Sequence, residues 1–288
     1  MSTSNMSTYR QGHDPSVTYN HTLRTAEVEG AFVIPHIKPE FKILDVGCGP
    51  GTITTGFAKY VPQGSVTGID LTDEVLGQAE AHLAQQSPKI SNVKFEKGNV
   101  LDGLHFEDGE FDLVFCSQVL IHIPDPVSAL REMKRVCKSK TGLICAREGD
   151  WPFRYVPYSP GLQVFHRYFY EMINGKAPSS IAQPDQPPFA PGHKGGSLVH
   201  VHARQAGFDP SRIEKGGKVT IYGTESERRQ YATSMINRME KGGHNEKYVQ
   251  KLGATEEQLN EIAQAWKEWA DDVDGWHAIM HCETICRN

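Results

Sequence analysis

The sequence predicts an α/β fold: a doubly wound, mainly parallel sheet of seven strands with helices on its faces. Three observations carry that reading. Short apolar runs alternate with longer amphipathic segments across residues 41–148. A glycine-dense turn, Asp45-Val46-Gly47-Cys48-Gly49-Pro50-Gly51, joins the first run to the segment behind it. An acid, Asp70, closes the second run.

Taken in order, residues 16–37 suit a helix that Pro35 ends. Strands are expected at 41–47, 65–70, 92–98, 111–117 and 141–148. Between them lie helices from Gly51 to about Tyr60, from Thr72 to about Gln86 with Thr72 as N-cap, and from Pro124 to about Cys137. Strand and helix in this rhythm imply right-handed βαβ units. After Gly149 the rhythm breaks. Residues 151–196 are rich in proline and aromatics and too long for a plain connection, which predicts a helical lid insertion. Alternation resumes with a helix at 197–206, a strand at 211–222, helices at 225–240 and 255–270, and a closing strand in GWHAIMHCETICRN. The expected units are an N-terminal arm and cap helix at 1–37, a ligand-binding core at 38–150, a lid at 151–196, and the remaining sheet with C-terminal helices at 197–288.

Composition narrows the function classes. The 288 residues carry 30 basic and 35 acidic side chains, a net charge of −5. A protein that binds nucleic acid through bulk electrostatics would show a basic excess, so nucleic acid is not the expected partner. No apolar stretch reaches the roughly 18 residues of a membrane span. The polar start, MSTSNMSTYRQGHD, lacks the apolar segment of a secretory signal. Six scattered cysteines in such a chain read as reduced thiols, and the expected location is cytoplasmic.

The glycine turn is the most informative string. Glycines there let the backbone turn sharply and let a ligand approach the main chain. A phosphate-binding P-loop would need Lys-Ser/Thr after the last glycine, and Thr52-Ile53 supplies neither. A dinucleotide fingerprint would place its third glycine at residue 52, which is Thr. The spacing is instead G-x-G-x-G, with Asp45 two residues ahead. A carboxylate at the mouth of the turn repels a pyrophosphate and suits a cation. S-adenosylmethionine carries ammonium and sulfonium charges and no phosphate. Nineteen residues past Gly51, Asp70 is placed to accept the ribose hydroxyls of an adenosine. Such bonds to a charged acceptor contribute about 1.5–3 kcal/mol each.

With ILDVGCGPG, GIDLT, the GNV of residues 98–100 and FDLVFCSQVLIHIPDP followed by ALREMKRVCK on the page, the chain resembles the class I S-adenosylmethionine-dependent methyltransferases. The branch it resembles includes the UbiE-type enzymes of quinone biosynthesis, also grouped as methyltransferase type 11. The resemblance runs from about residue 20 to 148 and implies a Rossmann-like sheet. It also implies roles. Gly47, Cys48, Gly49 and Gly51 would form the backbone cradle. Asp45 would anchor the ammonium end, directly or through water, and Asp70 with Leu71 would take the ribose. Asn99 would accept from the adenine amine where the family usually has Asp, and Val100 would offer its N–H to the ring. Gln118 would meet the methionine portion. The helix with His21, Arg24 and Thr25 resembles the family's N-terminal cap, and Arg24 could pair with the cofactor carboxylate.

Other residues leave alternatives open. His122, in VLIHIPDP, reads as a general base near the reacting methyl group or as a packing residue. Glu148 and Asp150, at the end of the fifth strand, could hold a substrate amine or act as base; Asp150 is the second catalytic candidate. His193, His200 and His202, and the set His277, His281, Cys282 and Cys286, lack the spacing of known metal ligands, so no metal is expected. The aromatics of 151–170 read as core or as the wall of a pocket for a flat substrate. The expected activity is methyl transfer from S-adenosylmethionine to an O, N, S or C atom of a small molecule by in-line displacement. The alternatives are a cofactor-binding protein without transfer, or a protein or RNA methyltransferase.

Overall fold

The computed structural model describes residues 24–174, 195–239 and 253–288. Its sheet has seven strands: β1 Lys42–Val46, β2 Ser65–Asp70, β3 Val93–Lys97, β4 Leu113–Ser117, β5 Leu143–Val156, β6 Ile213–Tyr222 and β7 Trp276–Arg287. They lie in the order β3-β2-β1-β4-β5-β7-β6. The first five pair in parallel, and β7 runs antiparallel to both β5 and β6.

The central strands are apolar because both faces are covered. Every residue of β4, LVFCS, is buried. One face packs under the helices α4 Pro126–Val136 and α6 Val199–Gln205; the other packs under α1 Ala26–Glu29, α2 Thr52–Phe57 and α3 Asp73–Ala84. Local chemistry sets these helices. Asp125 caps α4 by accepting from the Ser128 N–H at 2.9 Å, and Pro126 takes the first turn, where its missing N–H costs nothing. The opening proline is therefore Pro126, not Pro124. Ala129, Leu130, Met133 and Val136 then recur on one buried stripe. Thr72 caps α3 as expected, accepting from Val75.

Three further helices, α5 Pro160–Asn174, α7 Glu225–Met239 and α8 Glu256–Asp271, build a separate apolar cluster beyond the sheet's end. A capping box between Thr255 and Gln258 starts α8. The Trp269 indole donates to Val156 O at 2.9 Å and fastens α8 to β5. Here the structure departs from the expected units. Residues 151–156 extend β5, so the boundary drawn at 150 falls inside a strand. Trp151, Phe153 and Tyr155 alternate with exposed Pro152, Arg154 and Val156, the period of a one-sided strand. The helix assigned to a lid is α5, packed against α8. The rest of the expected insertion, 175–194, lies outside the described residues, as do His21 and His193.

Phe165 and Tyr168 of α5 are 1% and 4% exposed, whereas Phe169 is half-buried. Phe165→Ala and Tyr168→Ala are therefore expected to destabilise the protein, by about 3–5 kcal/mol for the phenylalanine. Phe169→Ala should lose much less. Denaturant unfolding of the three variants checks the ranking, and equal losses would contradict it.

Candidate active site

The carboxyl ends of β1 to β4 meet where the strand order reverses, the position at which open α/β sheets form a ligand crevice. A cavity of about 110 Å3 lies there. Its wall comes from the turns after the four strands: Gly47 to Pro50, Asp70 and Leu71, Gly98 to Val100, and Ser117 to Val119. Arg24 and His122 complete it.

The glycine turn is hooked onto β2. Gly47 and Cys48 both donate their N–H to Ile69 O, at 2.8 and 3.0 Å. Asp70 continues the hook, its Oδ2 accepting from Gly49 N–H at 2.9 Å and its Oδ1 from Leu71 N–H at 2.7 Å. Gly49 has φ +54°, and a Cβ there would meet no protein atom within 4 Å, so the bare backbone faces open space. Gly51 differs. Its φ is +78° and a Cβ would come within 2.6 Å of Phe95 and 2.8 Å of Ala79. It starts α2 and packs against the sheet rather than lining the cavity.

Asp45 also lies off the cavity wall. It is 2% exposed, and its Oδ2 accepts from the Thr54 hydroxyl at 2.6 Å. That placement removes the direct ammonium contact expected of it and makes Asp45 a brace between β1 and α2. Asn99 is on the wall, with its amide used locally: Oδ1 accepts from Leu101 N–H at 3.1 Å, and Nδ2 donates to Asp102 at 2.8 Å. Gln118 sits in the left-handed region at φ 58°, uncommon for a residue with a side chain, and its N–H donates to Arg147 O at 2.9 Å.

The family model for a methyltransferase domain matches residues 37–154. The "Probable methyltransferase ltbC" of Aspergillus luteorubrus is 35% identical over 99% of this chain and 98% of its own length. An uncharacterized methyltransferase of Schizosaccharomyces pombe is 31% identical over 93% of this chain and 91% of its own. The chain belongs to the S-adenosylmethionine-dependent methyltransferases. Its fold is shared with a candidate methyltransferase of Bacillus halodurans, at a TM-score of 0.53 and 18% identity, covering 91% of this chain and 98% of that one.

The methyltransferase cavity fits its cofactor by the chemistry of its wall. Backbone lies bare at Gly49, a carboxylate stands at Asp70, amide and main-chain groups stand at Asn99 and Val100, and Arg24 brings a positive charge. Beside it opens a second cavity of about 320 Å3. Trp151, Phe153, Phe165, Phe169, Tyr222 and Tyr231 give it an aromatic wall. Arg24, Gln118 and His122 line both cavities.

Several groups around the junction have roles that the sequence does not show. Glu148 is fully buried, and its Oε1 accepts from the N–H groups of Val119 and Leu120 at 3.0 and 2.8 Å. It holds the turn that carries His122 and is not a rim acid open to a substrate amine. Asp150 is 3% exposed and lines neither cavity. On β5 it points to the face opposite Gly149 and Trp151, beside the Cys282 thiol at 3.9 Å. That orientation removes it as a catalytic candidate. Arg147, fully buried, pairs with Glu29 at 2.6 Å, and Glu29 also accepts from the Ser117 hydroxyl, tying α1 to β4 and β5. Among the described residues no group of three or more His, Cys, Asp or Glu gathers as a metal site. His277 stacks on His166 with ring centroids 5.2 Å apart, and Cys286 is core.

Burial sets the pH response of this region. It pushes the carboxyls of Asp45 and Glu148 up to about 7. It lowers His166 and His281 to about 3 and His277 well below 6.5. The raised carboxyls add stability that is full below their unfolded values, 3.8 and 4.5, and lost as pH rises through about 7. The lowered histidines add stability that is full above 6.5 and lost as pH falls. Below about pH 6.5 unfolding takes up protons on these three histidines and on His82 and His202, which burial also lowers, and releases protons from the two carboxyls. The histidines outnumber the carboxyls, so stability should fall on acidification. From 6.5 to above 7 it should fall as pH rises. Denaturant unfolding between pH 5 and 8 is expected to show a maximum near 6.5; a steady rise to pH 8 would contradict this.

Proposed function

We propose that this chain transfers the methyl group of S-adenosylmethionine to a small molecule held in the aromatic chamber. The observation that carries the proposal is the pair of adjoining cavities sharing Arg24, Gln118 and His122. The bound cofactor supplies an electrophilic methyl group already activated by its sulfonium charge. The protein's part is to place the two partners in line and to keep water out, which can lower a barrier by about 7–11 kcal/mol.

In this reading Asp70 accepts from the ribose with its remaining lone pairs while holding the Gly49 and Leu71 N–H groups. Gly47, Cys48 and Gly49 present main chain, and Asn99 and Val100 meet the adenine. Arg24 pairs with the cofactor carboxylate, and Gln118 borders the methionine portion. Asp45 and Gly51 act from behind, by fixing the start of α2. His122 stands at the junction and takes the proton of an acceptor whose nucleophile is protonated.

Incubation with S-adenosylmethionine and a panel of small aromatic and aliphatic acceptors should release S-adenosylhomocysteine with at least one of them. For a hydroxyl acceptor, His122→Ala should lower turnover roughly 100-fold or more while leaving cofactor affinity within about twofold. Binding of cofactor with no release across the panel, or unchanged turnover in that variant, would count against the proposal.

A further inference from the structure

The aromatic chamber has a polar edge made by two residues far apart in the chain, Gln118 at the end of β4 and His281 on β7. Their hydrogen bonds determine one another. The Gly149 N–H can only donate, so the Gln118 atom facing it at 3.2 Å is the amide oxygen Oε1. The amide nitrogen Nε2 then faces His281 Nδ1 at 3.0 Å. An amide NH2 has no lone pair to offer, so Nδ1 must accept and carries no proton. His281 is 8% exposed with Arg147 and Arg24 nearby, surroundings that keep its ring neutral. A neutral imidazole has one N–H, which here falls on Nε2.

That nitrogen is not one of the buried unpartnered side-chain atoms, no hydrogen bond joins it to another described residue, and its ring lines the chamber. Gln118 is not free to turn and reverse the arrangement. Its backbone is held at φ 58° by the N–H donated to Arg147 O, and its amide is held at both ends. The edge of the chamber thus presents a fixed donor beside flat aromatic walls at Trp151, Phe153, Phe169 and Tyr222.

Resting on the reading of this chamber as the acceptor site, we propose that His281, fixed by Gln118 as the Nε2–H tautomer, orients an acceptor that is a planar aromatic bearing an oxygen. His281 is a positioning residue. With Nδ1 occupied and Nε2 protonated, it has no lone pair with which to take a proton, so the base is a different group.

Two measurements test this, and the first needs no acceptor. Long-range proton–nitrogen NMR of the 15N-labelled wild-type protein, with His281 assigned by the signal missing from His281→Gln, should show Nε2 protonated and Nδ1 bare. Gln118→Ala should let both tautomers appear. A wild-type ring protonated on Nδ1 would overturn the proposal. The second is calorimetry with S-adenosylhomocysteine present, using 2-naphthol and naphthalene as probes. Wild type should bind 2-naphthol at least tenfold more tightly than naphthalene. His281→Phe should abolish that preference without changing S-adenosylhomocysteine affinity, and His281→Gln should restore part of it. Equal affinities in wild type, or an undiminished preference in His281→Phe, would overturn it. If S-adenosylhomocysteine binds and neither probe does, the acceptor class is wrong while the cofactor site stands.

Discussion

Asp70→Ala is expected to weaken S-adenosylmethionine binding at least tenfold, about 1.4 kcal/mol. The carboxylate does two things at once in this account. It holds the Gly49 and Leu71 N–H groups at 2.9 and 2.7 Å, shaping the cavity before any ligand arrives, and it offers its remaining lone pairs to the ribose. Hydrogen bonds to a charged acceptor are each worth about 1.5–3 kcal/mol, so the true loss should exceed the tenfold floor. Asp70→Asn keeps the size but not the charge and should lie between wild type and alanine. Calorimetric titration of all three proteins measures the series, and an alanine variant that binds normally would remove Asp70 from the site.

Glu148→Ala is expected to lower stability and cofactor affinity together. It strips the acceptor from the buried Leu120 N–H and the part-buried Val119 N–H. An unsatisfied buried donor costs about 1–3 kcal/mol, so Leu120 alone accounts for that much, and the part-buried Val119 adds a smaller amount. The same turn carries Val119 and His122 into the cavity walls, so cofactor affinity should fall with stability. Glu148→Gln retains an oxygen for both donors. Because burial already pushes the Glu148 carboxyl up to about 7, the amide resembles its protonated form and should stay near wild-type stability below neutral pH. Denaturant unfolding of the two variants distinguishes them, and equal destabilisation would show that the two N–H bonds are not what Glu148 provides.

The elements nearest the cofactor cavity were legible because their signals are local. Strand β2 runs from Ser65 to Asp70 as its apolar pattern indicates, and the turn at Gly47–Gly51 shows itself through glycine spacing. Periodicity within a few residues suffices for both. What escaped was long-range. The Arg147–Glu29 pair spans 118 positions and the Gln118–His281 contact 163, and no local pattern links such residues. Amphipathic stripes on α5, α7 and α8 announce that those helices bury a face, but not that they bury it against one another. Prolines at 152 and 157 hid the extension of β5, although the alternation of Trp151, Phe153 and Tyr155 was there to be read. Asp45 and Glu148 were recognisable as acids at strand ends, yet their use as internal braces depends on which way each strand end points. Asp150 shows the same gap most plainly: one residue's difference along a strand moves a carboxylate from the cavity side to the other.

The decisive geometry is where the cofactor's sulfur sits relative to the two cavities. A crystal structure with S-adenosylhomocysteine, collected alongside the release assay, tests that directly. The adenosine should lie between the Gly47–Pro50 turn, Asp70 and Asn99–Val100, with the sulfur at Gln118 and His122 facing the aromatic chamber. Density that placed the sulfur away from that junction, or the adenosine outside the first cavity, would contradict the account.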